Sequence, residues 1–599
     1  MQYNMEHLYP ERLAALRAEM KAAGIDAVVI PQADPHLSEY LAPHWQVRRW
    51  LSGFTGSAGD LVVTASEARL WTDSRYFLQA ADQLRGSGIE LMKDGLATTP
   101  SITDFLCTLP AGATVGVDGM LFPAGNLARM DAALAAKGIR LISDFDVIDT
   151  IWKDRPALPD GKIFIHDAKY AGQAAAAKIE EILAGARNAG AEAVLISALD
   201  DIAWTLNIRS NDVKHTPVAT SYLYLSADRK VLFISPAKLS PETIRYLAEQ
   251  GVSTADYTDV KAFIAELPAK LHIMVETART AGGVLALLGK RAVAADYSVA
   301  SRLKAVKNDT QIAGIRAAMV RDGAALVRSF MEIEGRLAEG IATTEVDIAE
   351  ILRRHRSASP LFFDESFGTI AGYGPHGAIV HYEATAATSS TLRPEGLLLI
   401  DSGAQYLDGT TDITRTICLG TPTDMERRDF TLVMKGHIAL GTMIFPDDTC
   451  GAQLDAIARQ FLWKNGLSYL HGTGHGVGHF LGVHEGPQSI RLNYVPTVLV
   501  PGMVTSNEPG VYREGIHGIR CENLVLTRKE MTTDFGTFLS FETLTLCPFD
   551  RALFDLSIMT PDEIKWVNDY HATVRERLMP ALATDAERAW LIAHTEPLA

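Results

Sequence analysis

Two stretches of this chain are near copies of one another. Residues 21–34 read KAAGIDAVVIPQAD and residues 187–200 read RNAGAEAVLISALD, so Gly24 matches Gly190 and Asp34 matches Asp200 at one common offset. Each copy is preceded by a helical pattern, ERLAALRAEM in one and AAAAKIEEILAGA in the other. Each is followed by strand-like runs, DLVVTASEARLWT and SYLYLSADRKVLFIS. A helix stopped by glycine, a buried strand and then a strand pair make an α/β unit. The first half of the chain is therefore expected to hold that unit twice. At 599 residues the chain is too long for a single core. The first boundary is expected near IWKDRPALPDGK, where two prolines and several charges interrupt the pattern. The second is expected near SRLKAVKNDTQIAGIRAAM, where Asp309 is the expected cap of a long amphipathic helix. These boundaries give domains at 1–155, 156–306 and 307–599.

The third part has a different texture. The stretch HGTGHGVGHFLGVHEGP, residues 471–487, holds four histidines and six glycines. His471, His475 and His479 are four apart and would share one face of a helix, the spacing of paired zinc-peptidase histidines. Alternating glycines oppose that geometry, since each costs about 1 kcal/mol against alanine in a helix interior. The expectation is a close-packed, non-helical backbone that fixes the histidines in place.

Two acid pairs accompany it. In LLLIDSGAQYLDGTTDITRTICLG, residues 397–420, an apolar strand delivers Asp401 and a β-branched strand delivers Asp412. A tight turn at Asp408-Gly409 pairs Asp401 with Thr416 and leaves Asp412 out of reach. A register centred on Tyr406 and Leu407 sets Asp401 opposite Asp412. The second register, or a wider loop, is the one expected. In PGMVTSNEPGVYREGIHGIRCENLVLT, residues 501–527, one strand ends at Glu508 and a returning strand carries Glu522. Taken alone, Glu508 before Pro-Gly reads equally well as a solvated loop acid, whereas Glu522, between apolar Ile519 and Leu524, does not. As neighbours, two carboxylates repel unless a proton or a cation lies between them. An oxygen-rich donor set suits hard divalent ions such as manganese.

Asp…Asp…His…Glu…Glu in this order resembles the pita-bread metallopeptidases, and most closely the three-domain cytosolic aminopeptidase P family. The resemblance is carried by DSGAQYLDGTTDITRT, HGTGHGVGHFLGVHEGP, EPGVY and GIRCEN. It extends to GSAGDLVVTASEARLWTDSRYFLQAA in the first domain and KDRPALP at the first boundary, so it spans nearly the whole chain. It implies an α/β (α+β) protein with two related creatinase/prolidase-like N-terminal domains and a C-terminal pita-bread domain. It implies Asp401, Asp412, His475, Glu508 and Glu522 as ligands of two divalent ions, with Asp412 and Glu522 bridging. Manganese is the expected metal, with zinc or cobalt as alternatives. His381, His471 and His484 are implied as catalytic and substrate-binding histidines and Arg520 as substrate-binding, with Glu508 as the proton carrier. His479 is implied to be structural. The reaction implied is removal of the first residue from peptides with proline second, by a hydroxide held between the two ions. Two rivals remain: a prolidase acting on Xaa-Pro dipeptides, and a non-catalytic pita-bread binding module, which should lack the ligands.

The remaining expectations are exclusions and partners. Net charge is −16, which argues against a nucleic-acid surface. Five scattered cysteines without a CxxC pair read as thiols of a reducing compartment. The first residues show no signal peptide, and no apolar run is long enough to span a membrane. A cytoplasmic protein is expected, and on resemblance a homodimer. Cys521, between Arg520 and Glu522, stands where an aliphatic residue is expected and suggests sensitivity to oxidation.

Overall fold

The computed structural model describes residues 8–598. They form two compact units, residues 8–166 with 173–302, and residues 167–172 with 303–598.

In the first unit the sequence repeat is a repeat of topology. Helix α1 (Leu8–Ala23) leads into β1 (Ala27–Ile30), followed by β2 (Asp60–Thr64), β3 (Ala68–Thr72), β4 (Glu90–Lys93), β5 (Thr114–Gly116) and β6 (Arg140–Ile142). The sheet order is β4-β3-β2-β1-β5-β6. Helix α2 (Ala175–Asn188) leads into β7 (Ala193–Ile196), then β8 (Ser221–Ser226), β9 (Lys230–Ile234), β10 (Ser253–Ala255), β11 (Ile273–Glu276) and β12 (Ala292–Ala295). Their order, β10-β9-β8-β7-β11-β12, is the same. Gly24 and Gly190 sit just past the two helices at φ +68° and +80°, the left-handed stop the sequence calls for. All residues of β1 and β7 are buried, as continuous apolar runs require when both faces of a strand are covered. In each copy the first strand is antiparallel to the next strand in sequence and parallel to the fifth.

The second unit opens with helix α3 (Asp309–Ala338). Its cap is Asn308, whose side chain accepts from the Gln311 N–H at 2.9 Å; Asp309, the expected cap, occupies the first helical turn instead. Strands β13 (Ile370–Tyr373), β14 (Leu397–Ser402) and β15 (Ile413–Cys418) form one antiparallel sheet. Strand β16 (Val504–Asn507) pairs with β19 (Asn523–Thr533), which pairs with β20 (Gly536–Thr543). The hairpin β17 (Gly510–Arg513) and β18 (His517–Arg520) lies between β16 and β19 in sequence. Helices α4 (Asp424–Gly441) and α5 (Pro561–Leu578) contribute Phe430, Val433, Val567 and Val574 to the core that also holds Leu524 and Leu526 of β19. The polar residues described next project from strands anchored on this core.

Candidate metal centre and active site

Neither expected register of the first hairpin is found. β14 and β15 set Asp401 opposite Thr414, and the ladder continues through Gln405↔Thr410 and Tyr406↔Gly409, so the chain turns at Leu407-Asp408. Arg321 of α3 fixes the turn there, donating to both Asp408 oxygens at 2.9 Å. Asp412 is then two residues from Asp401's direct partner, the diagonal position on the same sheet face. That diagonal brings the two acids together without their being paired.

The second acid pair is built by one register that survives a break. Asn507 pairs with Asn523 and Gly510 with Arg520 in a single alignment. Glu508-Pro509 and Cys521-Glu522 interrupt the ladder between these pairs, which leaves Glu508 and Glu522 facing each other across the two chains. The Cys521 N–H still reaches the Pro509 carbonyl at 3.3 Å.

The glycine-rich stretch runs without helix, as the alternating glycines imply, and Gly474–His475 forms a short strand with Ser489–Ile490. Gly474 passes against the Ser506 carbonyl and Gly476 against the Glu485 carbonyl, so closely that a Cβ at either position would clash with backbone. This packing delivers His475. Its backbone N–H donates to Ser506 Oγ at 3.0 Å, its Nδ1 lies 3.0 Å from the Gly476 carbonyl, and its Nε2 lies 3.4 Å from both Asp412 and Glu508. With Nδ1–H donating to a carbonyl, Nε2 is left to act as a ligand atom.

Among the described residues, every group of metal-ligating side chains whose donor atoms lie within 4.8 Å of one another falls here. The groups are Asp401, Asp412 and Glu522; His475, Glu508 and Glu522; and Asp412, His475 and His484. All five expected ligands converge, and His484 lies within the same reach, its ring 4.5 Å from that of His475 and edge-on. The electrostatics show what the cluster lacks. Burial, opposed by Arg520 and reinforced by Asp412, raises the proton affinity of Asp401. Burial also raises that of Glu508, against the pull of His475. Glu522 is pushed well above the usual carboxylate range by burial and by the charges of Asp412, Glu508 and Asp401. Burial lowers the affinity of the His475 ring for a proton, but Asp412 and Glu508 outweigh it and carry the pKa up to about 9. Asp401 Oδ1 is buried without a hydrogen-bond partner. Four carboxylates that repel one another, one with an orphaned oxygen, fit divalent cations between them.

The surroundings add residues the sequence did not single out. Arg520, expected to bind substrate, is buried. It donates to Asp401 Oδ2 at 2.6 Å, Tyr512 Oη at 2.8 Å, Thr414 Oγ1 at 3.1 Å and the Val380 carbonyl at 3.3 Å. Its place is to hold Asp401. Thr414 in turn donates to Glu522 at 2.8 Å. Tyr512 links Arg520 to His471, whose Nε2 lies 2.7 Å from the phenol oxygen, and Arg459 holds the His471 carbonyl at 2.7 Å. His381 follows the residue whose carbonyl meets Arg520. His479 is buried. Cys521 is fully buried and its thiol is pushed up to about 12 by desolvation, which removes the oxidation sensitivity expected from its sequence position.

The family models agree with this arrangement. Metallopeptidase family M24 matches residues 313–529, and a C-terminal region of that peptidase matches residues 537–598. The creatinase/prolidase N-terminal domain matches twice, at 12–151 and 154–311. A probable Xaa-Pro aminopeptidase P of Laccaria bicolor is 41% identical over 98% of this chain and 93% of its own. The chain belongs to metallopeptidase family M24, in its aminopeptidase P branch. Aminopeptidase P2 of Arabidopsis thaliana is 40% identical over 98% of this M24 chain and 88% of its own. The crystal structure of X-prolyl aminopeptidase from Caenorhabditis elegans, described as a cytosolic enzyme with a di-nuclear active site, superposes with a TM-score of 0.95. It is 34% identical and covers 98% of this chain and 100% of its own. The expected fold, a pita-bread domain preceded by two creatinase-like domains, is the fold of this M24 member.

Proposed function

We propose that this chain is an aminopeptidase that hydrolyses the bond between a free N-terminal residue and a following proline, using two divalent ions. Asp401, Asp412, His475, Glu508 and Glu522 would hold the ions. The observation that carries the reading is the convergence of four carboxylates, one with a buried oxygen that no residue satisfies, in a chain matched end to end by relatives bearing the Xaa-Pro aminopeptidase name. When bound, the ions neutralise the carboxylates and make an ionised water available near neutral pH.

The chain's own residues do the rest. Glu508 keeps partial exposure, at 17% of its side chain, and a raised proton affinity. It accepts the proton of the attacking water and passes it to the proline nitrogen as the C–N bond breaks. That nitrogen carries no hydrogen in the peptide, so it leaves as an amine only when a proton is supplied. His484 and His381 donate to the tetrahedral oxyanion and orient the substrate. His471, braced by Tyr512 and Arg459, lines the site, and Arg520 keeps Asp401 in its ligating pose. Manganese is the working metal, because four of the five ligands offer oxygen. On the same reading the enzyme is a cytoplasmic homodimer. Its five cysteines are all free, and none of the described helices is long and apolar enough to cross a membrane.

The test compares Xaa-Pro-Yaa peptides with Xaa-Ala-Yaa controls and with Xaa-Pro dipeptides. Chelator is added first, followed by manganese, zinc or cobalt. Cleavage restricted to Xaa-Pro-Yaa, lost on chelation and restored best by manganese, is expected. Preference for the dipeptide would make the chain a prolidase. Absence of metal and of cleavage would make it a binding module. Light scattering in solution tests the dimer.

A further inference from the structure

The two creatinase-like copies differ at one place in their shared fold. In open α/β sheets, ligands sit beyond the carboxyl ends of parallel strands, where the chain switches from one side of the sheet to the other. In the second copy that place, beyond β7 and β11, is filled by Asp201, Glu276 and Arg279, and only about 20 Å³ remains. In the first copy the same place, beyond β1, β5 and β6, is a cavity of about 360 Å³. Both places lie within the first unit.

The first-copy cavity is lined by many apolar side chains and four charged ones. Val28, Ile30, Trp45, Leu121, Phe145 and Ile148 are among the apolar ones. Tyr222 and Tyr257 close it, stacked with centroids 5.5 Å apart. Tyr257 is fixed by His36, whose Nε2 lies 2.9 Å from the phenol oxygen and whose Nδ1 lies 2.8 Å from the Ser197 carbonyl. The walls are therefore braced across both copies. The lining also carries two acids, Asp118 and Asp146, and two bases, Arg155 and Lys261. Arg155 is anchored by Asp149 at 2.7 Å and by the His44 carbonyl at 2.9 Å. Lys261 is exposed.

We infer that this cavity is a second ligand site, for a small zwitterion with an apolar side chain: a free amino acid or a dipeptide. The charge pattern selects that class. Two acids meet an ammonium and two bases meet a carboxylate, so the ligand's charges replace the water they lose. A phosphate would face Asp118 and Asp146, and a hydrocarbon would desolvate four charges with nothing in return. The volume lies at the small end of ligand pockets, roughly 300–1,000 Å³, which suits one aromatic or branched side chain with its backbone. This assignment does not depend on the peptidase reading of the other unit.

Calorimetric titration of the full-length, metal-loaded protein with L-phenylalanine tests it, with N-acetyl-L-phenylalanine amide as the uncharged counterpart. Saturable binding of L-phenylalanine is expected, at least tenfold tighter than the amide. Val147→Trp, which fills the cavity from its wall, should abolish that binding. Lys261→Ala, at an exposed position where folding is not at stake, should weaken it at least tenfold. Cleavage of Xaa-Pro-Yaa should be unchanged in both variants. Three results overturn the inference: no saturable binding at millimolar concentration, equal binding of the amide, or binding untouched by both substitutions. The last would place L-phenylalanine at the peptidase centre alone.

Discussion

Two clusters of buried acids stand in this molecule, one in each unit, and they solve the same electrostatic problem in opposite ways. In the first unit Asp200, Asp201 and Glu276 surround Arg279. Its guanidinium pairs with Asp200 and, at 3.4 Å, with Asp201. Ser298 Oγ donates to Asp201 at 2.7 Å, and the Ser298 N–H donates to Glu276 at 3.1 Å. In the second unit Asp401, Asp412, Glu508 and Glu522 have one guanidinium, and Arg520 spends it on Asp401 from the side facing Tyr512. Three of those four acids hold their protons more tightly than an ordinary carboxyl, and one oxygen is unsatisfied. Buried charge must be paired. Where the chain encodes the cation, acids are an internal ion pair; where it encodes too few, they are a site for cations from outside.

The largest test removes one of the proposed metal ligands. Glu522→Ala, or Asp412→Ala, should lower cleavage of Xaa-Pro-Yaa by orders of magnitude and reduce bound metal, measured by elemental analysis. Asp200→Ala should leave both intact. Full activity in Glu522→Ala after metal depletion would falsify the dinuclear assignment. The same comparison separates ligands from substrate groups. His484→Ala and His381→Ala should lose about a hundredfold or more in kcat while keeping their metal. His475→Ala should lose metal, and His479→Ala should do little. Because His484 shares the reach of the ligand set, metal lost from His484→Ala but kept in His475→Ala would exchange their roles.

The next test removes the encoded cation. Arg279→Ala leaves three acids without their partner, and the first unit should lose on the order of 3 kcal/mol in denaturant unfolding. That is the lower end for breaking a buried pair, because the guanidinium keeps some exposure. Metal content should not change. Chelation of the wild type should produce the complementary effect, a lower unfolding midpoint that returned metal reverses. If Arg279→Ala were neutral in stability, the first cluster would not be held by its own cation and the contrast would fail.

What sequence could and could not reveal follows the same line. The duplicated α/β unit was legible because helix stops and buried strands are local patterns: Gly24 and Gly190 mark both. The ligand set was legible as a motif, and the glycine stretch as non-helical because glycine is so poor a helix former. The register of Asp401 was not legible. Its turn at Leu407-Asp408 is placed by Arg321, a contact 87 residues distant, and by α3 packing on Gly409. The part played by Tyr512 was not legible, although the residue ends the EPGVY motif. Gly510 lies on the same strand face two residues away, and a Cβ there would meet the Tyr512 oxygen at 2.6 Å. A glycine two before a tyrosine, beside a strand ending in arginine, was the available signal. The bond from Arg520 to Asp401 was not legible either, because sequence does not show which carboxylate a buried guanidinium meets.

The smallest effect sharpens the contrast most finely, because it asks whether Arg279 fully compensates its acids. Burial raises the Glu276 carboxyl to about 7, with Asp201 and Asp200 adding to the shift and Arg279 opposing it. The unfolded carboxyl titrates near 4.5. Between those values the folded state holds a proton that the unfolded state has released. The stability it brings is therefore complete below about pH 4.5 and is lost as pH rises through about 7, at a slope approaching 1.4 kcal/mol per pH unit. Glu276→Gln keeps the shape and removes the titration. Hydrogen exchange on peptides covering residues 273–301, followed from pH 5 to pH 8, should show the wild type losing protection relative to the variant as pH rises, with most of the change complete by pH 8. Parallel profiles would mean that Arg279 satisfies all three acids, and the first cluster would then be a fully compensated ion pair with no titrating member.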